Sequence, residues 1–455
     1  MLRLRVLACL SAATLGVRAS AVPVIIASPV TVNPGDTTIV DQQTGNPVPL
    51  ANAEILVAGT TLTMNGQFSI VSLSLQPWST TPGVLTYSTG AGLNLTALSY
   101  IEIRGPVSGD TTGASASRIS ADGLGYGSGQ GPGTPAVLTA TNAYGGGAGY
   151  GGAGSSGQAG PSPSTGTGYG SYTSPSDIGS GGGESRYSGI TRPGTGGAGG
   201  GSIRLTVAGA LRVNGKITAN GSMTSSGYWG YFGGAGSGGT IAITCGTLEG
   251  TGAIAANGGD AYLGGGAGGG GRVSVTFWTN TYGMPHAYGG AGSSAYGVIR
   301  GGAGTVYMKQ NSVNHETLYI DNGATTEACD STKFPGASVF NHDVVVQNDG
   351  HAELAGPLTV NGLMLIRNYG RAEMSGMVTV NGEVQVQSNG RVSPKAQQPN
   401  FNLTVNGNAT VEAQGAISAD GCGYGSGQGP GSRQSWYSPL VARPPQFLHS
   451  LMSLV

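Results

Sequence analysis

The chain has 455 residues, of which 87 are Gly and only 9% are charged, and its formal net charge is −1. Average globular proteins contain roughly 7% Gly and about 25% charged residues, so this composition lies well outside the common class. Disordered chains usually combine low hydrophobicity with high net charge, whereas 38% of these residues are hydrophobic. The composition therefore predicts a folded, weakly charged protein, and the lack of a basic region argues against nucleic acid as a partner.

Residues 1–21 predict a secretory signal peptide. Arg3 and Arg5 precede an apolar stretch at 6–17, and small residues follow at 19–21, where cleavage is expected. The apolar stretch is shorter than the roughly 20 residues needed to span a bilayer. We therefore expect a secreted, extracellular or cell-surface protein without a transmembrane segment.

Residues 22–118 are predicted to form a β-rich N-terminal cap or the first coils of a repetitive fold. Apolar and polar residues alternate at 68–75 and 95–103, as in strands with one buried face. A cap is needed because the open end of a stacked fold exposes unpaired backbone and apolar side chains.

Residues 119–310 are predicted to form Gly-rich coils with long loop excursions. The motif ISADGLGYGSGQGPG at 119–133 returns as ISADGCGYGSGQGPG at 417–431, and related phrases contain GKITANG and GAIAANG. The excursions return to the strands through similar phrases, which are GGAGGGSIRLTV (196–207), GGAGSGGTIAIT (233–244) and GGAGGGGRVSVT (265–276). We interpret these glycines as positions of sharp turns, positive φ and close backbone approach, with a flexible linker as the alternative.

Residues 311–431 carry the clearest repeat. The segment NDGHAELAGPLTVNG at 348–362 and the segment NYGRAEMSGMVTVNG at 368–382 match at nine of fifteen positions, with a period of 20 residues. Alternation within each repeat indicates three short strands separated by Gly turns. This pattern predicts an all-β fold, a parallel β-helix (β-solenoid), in which Val360, Val380 and Val405 share one interior stripe. A leucine-rich repeat has a similar period, but its regular Leu positions and helix-forming arc are absent from this sequence.

The remaining segments carry weaker signals. Residues 432–455 contain no Gly and show no repeat pattern, which suggests a truncated or misread frame, with a true C-terminal tail as the alternative. The cysteines outside the leader do not form a disulfide framework. These cysteines are Cys245, Cys329 and Cys422. Four N-x-[ST] sequons begin at Asn94, Asn220, Asn402 and Asn408. They are glycosylation sites only in a cell that glycosylates such sequons.

The Gly-rich motifs resemble those of a known group of proteins. The phrases at 119–133, 169–183, 196–221 and 233–260 resemble the large glycine-rich, secreted or surface, adhesin-like proteins of bacteria and some protists, over roughly residues 60–431. The resemblance implies a parallel β-helix exported to the cell surface, often within a longer chain. For most members it implies no particular molecular activity.

The sequence offers one candidate for chemistry. The sequence contains no complete motif for binding a nucleotide, zinc or calcium and none for a catalytic nucleophile. We therefore expect no cofactor and no bound metal. The 20-residue register stacks Glu353 on Glu373 and places His351, Arg371 and Arg391 beside them. Two carboxylates one strand apart suit a glycosidase, but an exposed ladder of compensating charges is the interpretation that we favour.

The tyrosines of the excursions are candidates for a contact surface. Aromatic rings stack on sugars and on partner proteins, although the same rings can instead anchor each loop to the strands. The tyrosines concerned are Tyr126, Tyr144, Tyr150, Tyr169, Tyr172, Tyr187, Tyr228, Tyr231 and Tyr262. We therefore expect a non-enzymatic surface protein, structural or adhesive, whose partners are glycans, other surface proteins or further copies meeting at the solenoid ends. The alternative is a polysaccharide-degrading lyase or glycosidase.

Overall fold

A computed structural model describes most of the chain between Ala21 and Gly423. The described residues are 21–138, 142–158, 164–187, 190–191, 194–224, 227–228, 230–325, 327–396, 401–420 and 422–423. The predicted signal peptide, apart from its last residue, and the segment 432–455 lie outside them. Within the described residues there is no α-helix, and two 3-10 helices occupy Leu50–Asn52 and Ser294–Tyr296. No described helix has the length and apolarity that a membrane crossing requires.

Among the described residues, twenty-one strands precede residue 281. They are β1 (Val22–Ile26), β2 (Val30–Val32), β3 (Thr38–Val40), β4 (Pro47–Pro49), β5 (Ala53–Ala58), β6 (Thr61–Met64), β7 (Gly66–Ile70), β8 (Ser72–Gln76), β9 (Val84–Thr86), β10 (Leu93–Ala97), β11 (Ile101–Ile103), β12 (Arg118–Ser120), β13 (Arg186–Tyr187), β14 (Ile190–Thr191), β15 (Ser202–Val213), β16 (Lys216–Thr218), β17 (Gly227–Tyr228), β18 (Tyr231–Phe232), β19 (Thr240–Glu249), β20 (Ala253–Ala255) and β21 (Arg272–Asn280).

Fourteen further strands follow among the described residues. They are β22 (Thr305–Gln310), β23 (His315–Asp321), β24 (Thr332–Phe334), β25 (Ser338–Phe340), β26 (Asp343–Gln347), β27 (His351–Ala355), β28 (Leu358–Val360), β29 (Met364–Ile366), β30 (Arg371–Val380), β31 (Val384–Val386), β32 (Arg391–Pro394), β33 (Phe401–Val405), β34 (Ala409–Val411) and β35 (Ala416–Ile417).

The strands form three main sheets, and nearly all pairs within them are parallel. A large sheet of fifteen described strands runs from β1 to β34. A six-stranded sheet lies beside its first part, β1 to β22, and an eight-stranded sheet lies beside its second part, β23 to β34. In the six-stranded sheet the repeated motif stacks in register, because Ile119 pairs with Ile217 and Ile217 pairs with Ile254. All three isoleucines are fully buried. The shared motif therefore marks equivalent positions in successive layers.

The 20-residue register is confirmed. Val360 pairs with Val380, and Val380 pairs with Val405 after the insertion in residues 394–401. Val360 and Val380 are both 0% exposed. The predicted alternation also holds, since the even-numbered residues of β27 point inward and the odd-numbered ones outward. One detail differs: β30 runs through the position where two separate strands were expected, and it bends at Gly376, where φ is 73°.

The direction of the large sheet reverses once within the described strands. β21 and β22 are parallel, β22 and β23 form an antiparallel hairpin, and parallel pairing resumes between β23 and β26. Val306 and Met308 of β22 belong to the core of the first part, whereas Tyr307 belongs to the core of the second. The two cores therefore lie on opposite faces of one continuous sheet.

A geometric reason explains why the cores change faces. Parallel β crossovers strongly prefer the right hand. Rotating a stack of parallel strands by 180° about the axis along which its layers stack reverses the direction of every strand and exchanges the two faces of the sheet. The rotation does not change the handedness of the crossovers. Two stacks with crossovers of the same hand and opposite strand directions must therefore bury opposite faces of a shared sheet.

The Gly-rich tracts pack as hydrogen-bonded extended segments. Along residues 234–239 the backbone N–H groups donate in turn to three neighbouring segments, at 180–183, 266–269 and 219–222, and the order repeats after three residues. None of the glycines in 234–239 has a positive φ. A repeat of three residues without internal hydrogen bonds is the geometry of a polyproline II helix. We call this layer the glycine array.

The glycine array corrects one sequence-based expectation. Positive φ was expected in the tracts that return to the strands, but close approach alone accounts for Gly there. A Cβ on Gly147 would lie 1.8 Å from the carbonyl oxygen of Ala267, and one on Gly234 would lie 1.9 Å from that of Gly146. The segment 234–239 hydrogen-bonds to neighbours on three sides, and no space remains for a Cβ at its glycines.

The two ends of the described stack differ. At the N-terminal end the β3–β4 hairpin packs Ile39 and Val48 onto the first core, so this end is covered. At the other end Val386 pairs with Val411, but their exposures are 0% and 49%. The last described layer therefore presents apolar side chains that no described residue covers.

An asparagine ladder follows one corner of the second part. The Nδ2 group of Asn361 donates to Oδ1 of Asn341 at 2.6 Å, and Asn381 and Asn406 extend the series at 2.7 Å each. Each interior amide thus donates to one neighbour and accepts from the next. Such a ladder satisfies side chains at equivalent positions only when the layers stay in register.

Candidate functional site

The charged column forms on the outer face of the eight-stranded sheet, as the register predicts. Glu353 of β27 pairs with Glu373 of β30, and His351 pairs with Arg371, which pairs with Arg391. The side chains between them in sequence, Ala352 and Leu354 among others, point into the core. Alternation along β27 and β30 therefore brings every member of this column to one surface.

Both carboxylates of the column contact a basic side chain. The ammonium group of Lys395 reaches across two strands to Oε1 of Glu353. Nε2 of His351 lies 3.4 Å from Oε2 of Glu373, a long contact for a hydrogen bond. The imidazole of His351 lowers the pKa of Glu373 below its ordinary value, against the opposing effect of partial burial. Glu373 is therefore ionised at neutral pH.

Sequence reasoning missed two neighbours of this column. Burial raises the pKa of Asp330 and that of the Cys329 thiol, although the main-chain N–H of Ser331 stabilises the Asp330 carboxylate. These residues precede β24, and the 20-residue repeat contains no pattern that predicts them there. Among the described residues no group of three or more His, Cys, Asp or Glu is placed to hold a metal ion.

A second ladder of charges crosses the large sheet. Glu102 of β11 pairs with Arg212 of β15, which pairs with Glu249 of β19. The guanidinium of Arg212 lies 3.6 Å from Glu102 and 2.8 Å from Glu249, and its side chain is 51% exposed. An open groove borders the ladder, lined by Gln76, Pro77, Glu102, Arg104, Gly105, Pro106 and Asn214. Exposed ion pairs of this kind contribute at most about 1 kcal/mol each.

Tyr150 is not a contact residue, which corrects its sequence-based assignment. Its side chain is 0% exposed, and its hydroxyl lies 2.6 Å from Oγ1 of Thr240. Oγ1 of Thr240 donates its own proton to the carbonyl of Asp177, so the Tyr150 hydroxyl is the donor of this pair. Burial raises the pKa of Tyr150 to about 12. The ring therefore anchors its excursion to the sheet.

Arg272 connects two segments of one excursion to the large sheet. It projects from β21, is 7% exposed, and its guanidinium donates to the carbonyl oxygens of Tyr169 and Tyr150 and to Oγ1 of Thr305. Its charged group also lies 5.4 Å from the centre of the Tyr150 ring, a cation–π distance. The planar fork of donors suits three acceptors that lie in different segments.

Tyr169 and Tyr172 are also anchors. The hydroxyl of Tyr169 donates to the carbonyl of Ile178 at 2.5 Å. Tyr172 lies over the second core, with ring centres 5.9 Å from Phe340 and 6.1 Å from Tyr307. Burial raises the pKa of Tyr172 to about 12. An excursion of the first part therefore closes the core of the second part.

The other tyrosines divide into two groups. Tyr126 is 36% exposed and remains accessible. Half-buried rings cluster elsewhere: Tyr144 and Tyr187 lie 5.0 and 5.6 Å from Tyr231, and Tyr262 packs against Phe232 at 4.9 Å. Tyr228 belongs to β17, but its side chain lies outside the described part of the chain. The rings of the cluster are tilted against one another and do not form one flat platform.

Comparisons with known proteins assign no family. Neither the models of protein families, nor the curated proteins, nor the solved structures give a match to this chain. Its function is therefore argued from its own residues.

Proposed function

We propose that the chain is an exported, non-enzymatic parallel β-helix that acts as a structural or adhesive element at the cell surface. The observation that carries the proposal is the constant register, in which residues 351–355 pair with 371–375, residues 358–360 with 378–380 and residues 344–346 with 364–366. Three strand pairs per repeat, each offset by the same 20 residues, are the pattern expected of one turn of a β-helix. The low charge and the glycine array suit a rigid body with long uncharged flanks.

Export rests on the leader-like sequence at residues 1–21. The test compares the full chain with a chain that starts at residue 22, each carrying the same C-terminal tag, in a secreting host. We expect the full chain outside the cell or on its surface, and the shortened chain inside. Equal retention of both chains would remove the proposal of export.

Adhesion is tested on cells that display the full chain. We expect these cells to attach more strongly to glycan-coated or cell-derived surfaces than do cells that display the Gly234→Ala variant. In that variant the added methyl group disrupts the packing of the glycine array. Equal attachment of the two, with the wild-type chain shown to be displayed, would leave a structural role without adhesion. Electron microscopy of the purified chain then tests the elongated shape of a β-helix.

The alternative is a polysaccharide-degrading lyase or glycosidase, and one observation favours it. Glu353 and Glu373 occupy paired positions on adjacent strands, so their carboxylates project side by side. A retaining glycosidase uses two carboxyl groups about 5 Å apart, one of them a protonated acid. Glu373 has a lowered pKa and Glu353 is paired with Lys395, so neither has the surroundings of such an acid. Depolymerising activity lost in Glu353→Gln and Glu373→Gln, but kept in Glu249→Gln, would reverse this preference.

A further inference from the structure

A row of hydroxyl side chains crosses the outer face of the large sheet. Its five members occupy paired positions on β7, β10, β15, β19 and β21. They are Ser69, Thr96, Thr206, Thr244 and Thr276. Neighbouring strands lie about 4.8 Å apart, so the row spans about 19 Å. We call it the hydroxyl row.

The hydroxyl row has no partner within the described part of the protein. Ser69, Thr206 and Thr244 are exposed, and Thr96 and Thr276 are half-buried. No hydrogen bond joins any of the five side chains to another described residue, although the neighbouring outward Ser274 donates to the carbonyl of Thr173. The five hydroxyls therefore offer regularly spaced donors and acceptors to a molecule outside the chain.

The row lies between two raised borders. On one side the excursion at residues 173–177 crosses the sheet. Ser274 donates a hydrogen bond to the carbonyl of Thr173, and Arg204 donates one to the carbonyl of Pro175. On the other side Trp278 follows Thr276 by two residues on the same face of β21, and its side chain is 58% exposed. The sheet face beside the excursion forms a shallow trough, with Trp278 at its β21 end.

The hydroxyl row itself carries no charge. Two cations border it: the guanidinium of Arg204 donates to the carbonyl of Pro175, and Lys309, beside Thr276 on the next strand, is paired to Glu316 at 2.7 Å. A straight row of hydroxyls matches a polymer that repeats hydroxyl groups along its length, and the face of an indole packs on the apolar face of a sugar ring. A peptide would find no free backbone groups on the face of a sheet, because peptide strands add at edges.

We infer that this trough binds a single chain of an uncharged polysaccharide, with the hydroxyl row contacting successive sugars and Trp278 stacking on one of them. The inference rests on the proposed adhesive function and names the class of its ligand. It differs from the expectation that the tyrosines of the excursions form the contact surface, because Tyr150, Tyr169 and Tyr172 are anchors.

The test uses the purified full chain and a panel of polysaccharides: β-1,4-glucan, α-1,4-glucan and xylan as neutral probes and polygalacturonate as the charged one. We expect binding to at least one neutral probe and weaker binding to the charged one. The double variant Thr206→Val/Thr244→Val keeps side-chain shape and removes two hydroxyls, so its affinity should fall by about tenfold. Trp278→Ala should lower affinity by a similar factor.

The matched control is Thr359→Val/Thr379→Val, which makes the same change in the outward Thr column of the second part, where the two residues are also paired. Its affinity should equal that of the wild type, and circular dichroism should show all variants folded. A wild-type chain that binds no neutral probe, or a Thr206→Val/Thr244→Val variant that binds as tightly as the wild type, would overturn the inference. Displayed cells that still adhere in either case would keep the adhesive function and reject only this trough.

Discussion

The hydroxyl of Tyr172 lies 3.1 Å from Nε2 of His342, and this contact joins an excursion of the first part to the core of the second. Nδ1 of His342 lies 3.0 Å from the carbonyl oxygen of Asp343, which can only accept, so Nδ1 carries the proton of the neutral ring. Nε2 is then the acceptor, and Tyr172 donates to it. The excursion is thus held by one directed hydrogen bond together with aromatic packing.

Truncation of Tyr172 should destabilise the protein more than loss of its hydroxyl. We expect Tyr172→Ala to lower the free energy of unfolding by about 3 kcal/mol through lost packing. Tyr172→Phe should lower it by about 1 kcal/mol through the lost hydrogen bond. Tyr126→Ala is the control, because Tyr126 lies in the same excursion but is 36% exposed. Urea titration measures all three, and equal effects for Tyr172→Ala and Tyr126→Ala would contradict the anchoring role.

Stability should fall as the pH drops below about 6.5. Burial lowers the pKa values of His342 and His286 from their ordinary 6.5. The unfolded chain therefore binds more protons than the folded one in acid, and its population rises as the pH falls through this window. Each histidine contributes a slope of at most about 1.4 kcal/mol per pH unit. Thermal unfolding between pH 7.5 and 5 checks this.

The variant His342→Gln tests which group is responsible for that slope. It removes one titrating ring, so the slope below pH 6.5 should become smaller, and His286 should supply the remainder. The exposed His315, 58% accessible at its side chain, offers the control His315→Gln. A slope that His342→Gln leaves unchanged would show that the acid sensitivity arises elsewhere.

Loss of the Arg272 guanidinium should loosen two segments of one excursion together. Arg272→Met leaves the carbonyl oxygens of Tyr150 and Tyr169 without this donor, and we expect a destabilisation of about 3 kcal/mol. Arg272→Lys should recover only part of it, because an ammonium group cannot reproduce the planar fork. Arg212→Lys is the control on β15, which is separated from β21 by β19, with an expected change below about 1 kcal/mol. Chemical denaturation and limited proteolysis provide the readouts, and full rescue by Lys would be the contrary result.

A methyl group should not fit at Gly147 of the glycine array. We expect Gly147→Ala to destabilise the fold by more than about 3 kcal/mol or to prevent folding, since its Cβ would meet a backbone oxygen at 1.8 Å. Gly127→Ala is the matched control, because the nearest atom to its Cβ is 3.6 Å away and its φ is not positive. Melting temperatures and the yield of folded protein measure the difference. Similar behaviour of the two variants would contradict the close packing of the array.

The sequence by itself determined the alternation and the register of the 20-residue repeat. Alternation at 351–354 and the period of 20 residues are local patterns, and a strand with one buried face must alternate wherever it lies. Pairing at Val360, Val380 and Val405 follows from the repeat, because a slip by one residue would turn every apolar side chain outward. The stacking of Glu353 on Glu373 was predictable for the same reason.

Only the tertiary structure decided how the two parts meet and what the excursions do. The reversal at β22–β23 depends on one hairpin. The residues of that hairpin do not indicate which face of the large sheet each core will occupy. Tyr150 and Tyr172 look alike in sequence, each amid small and polar residues, and their burial depends on Arg272 and His342, which are distant in the chain. Glycine tracts specify no partner of their own, since the hydrogen bonds of the array join segments far apart in sequence. Long-range contacts of this kind are settled by packing of the whole chain and cannot be read from a local period.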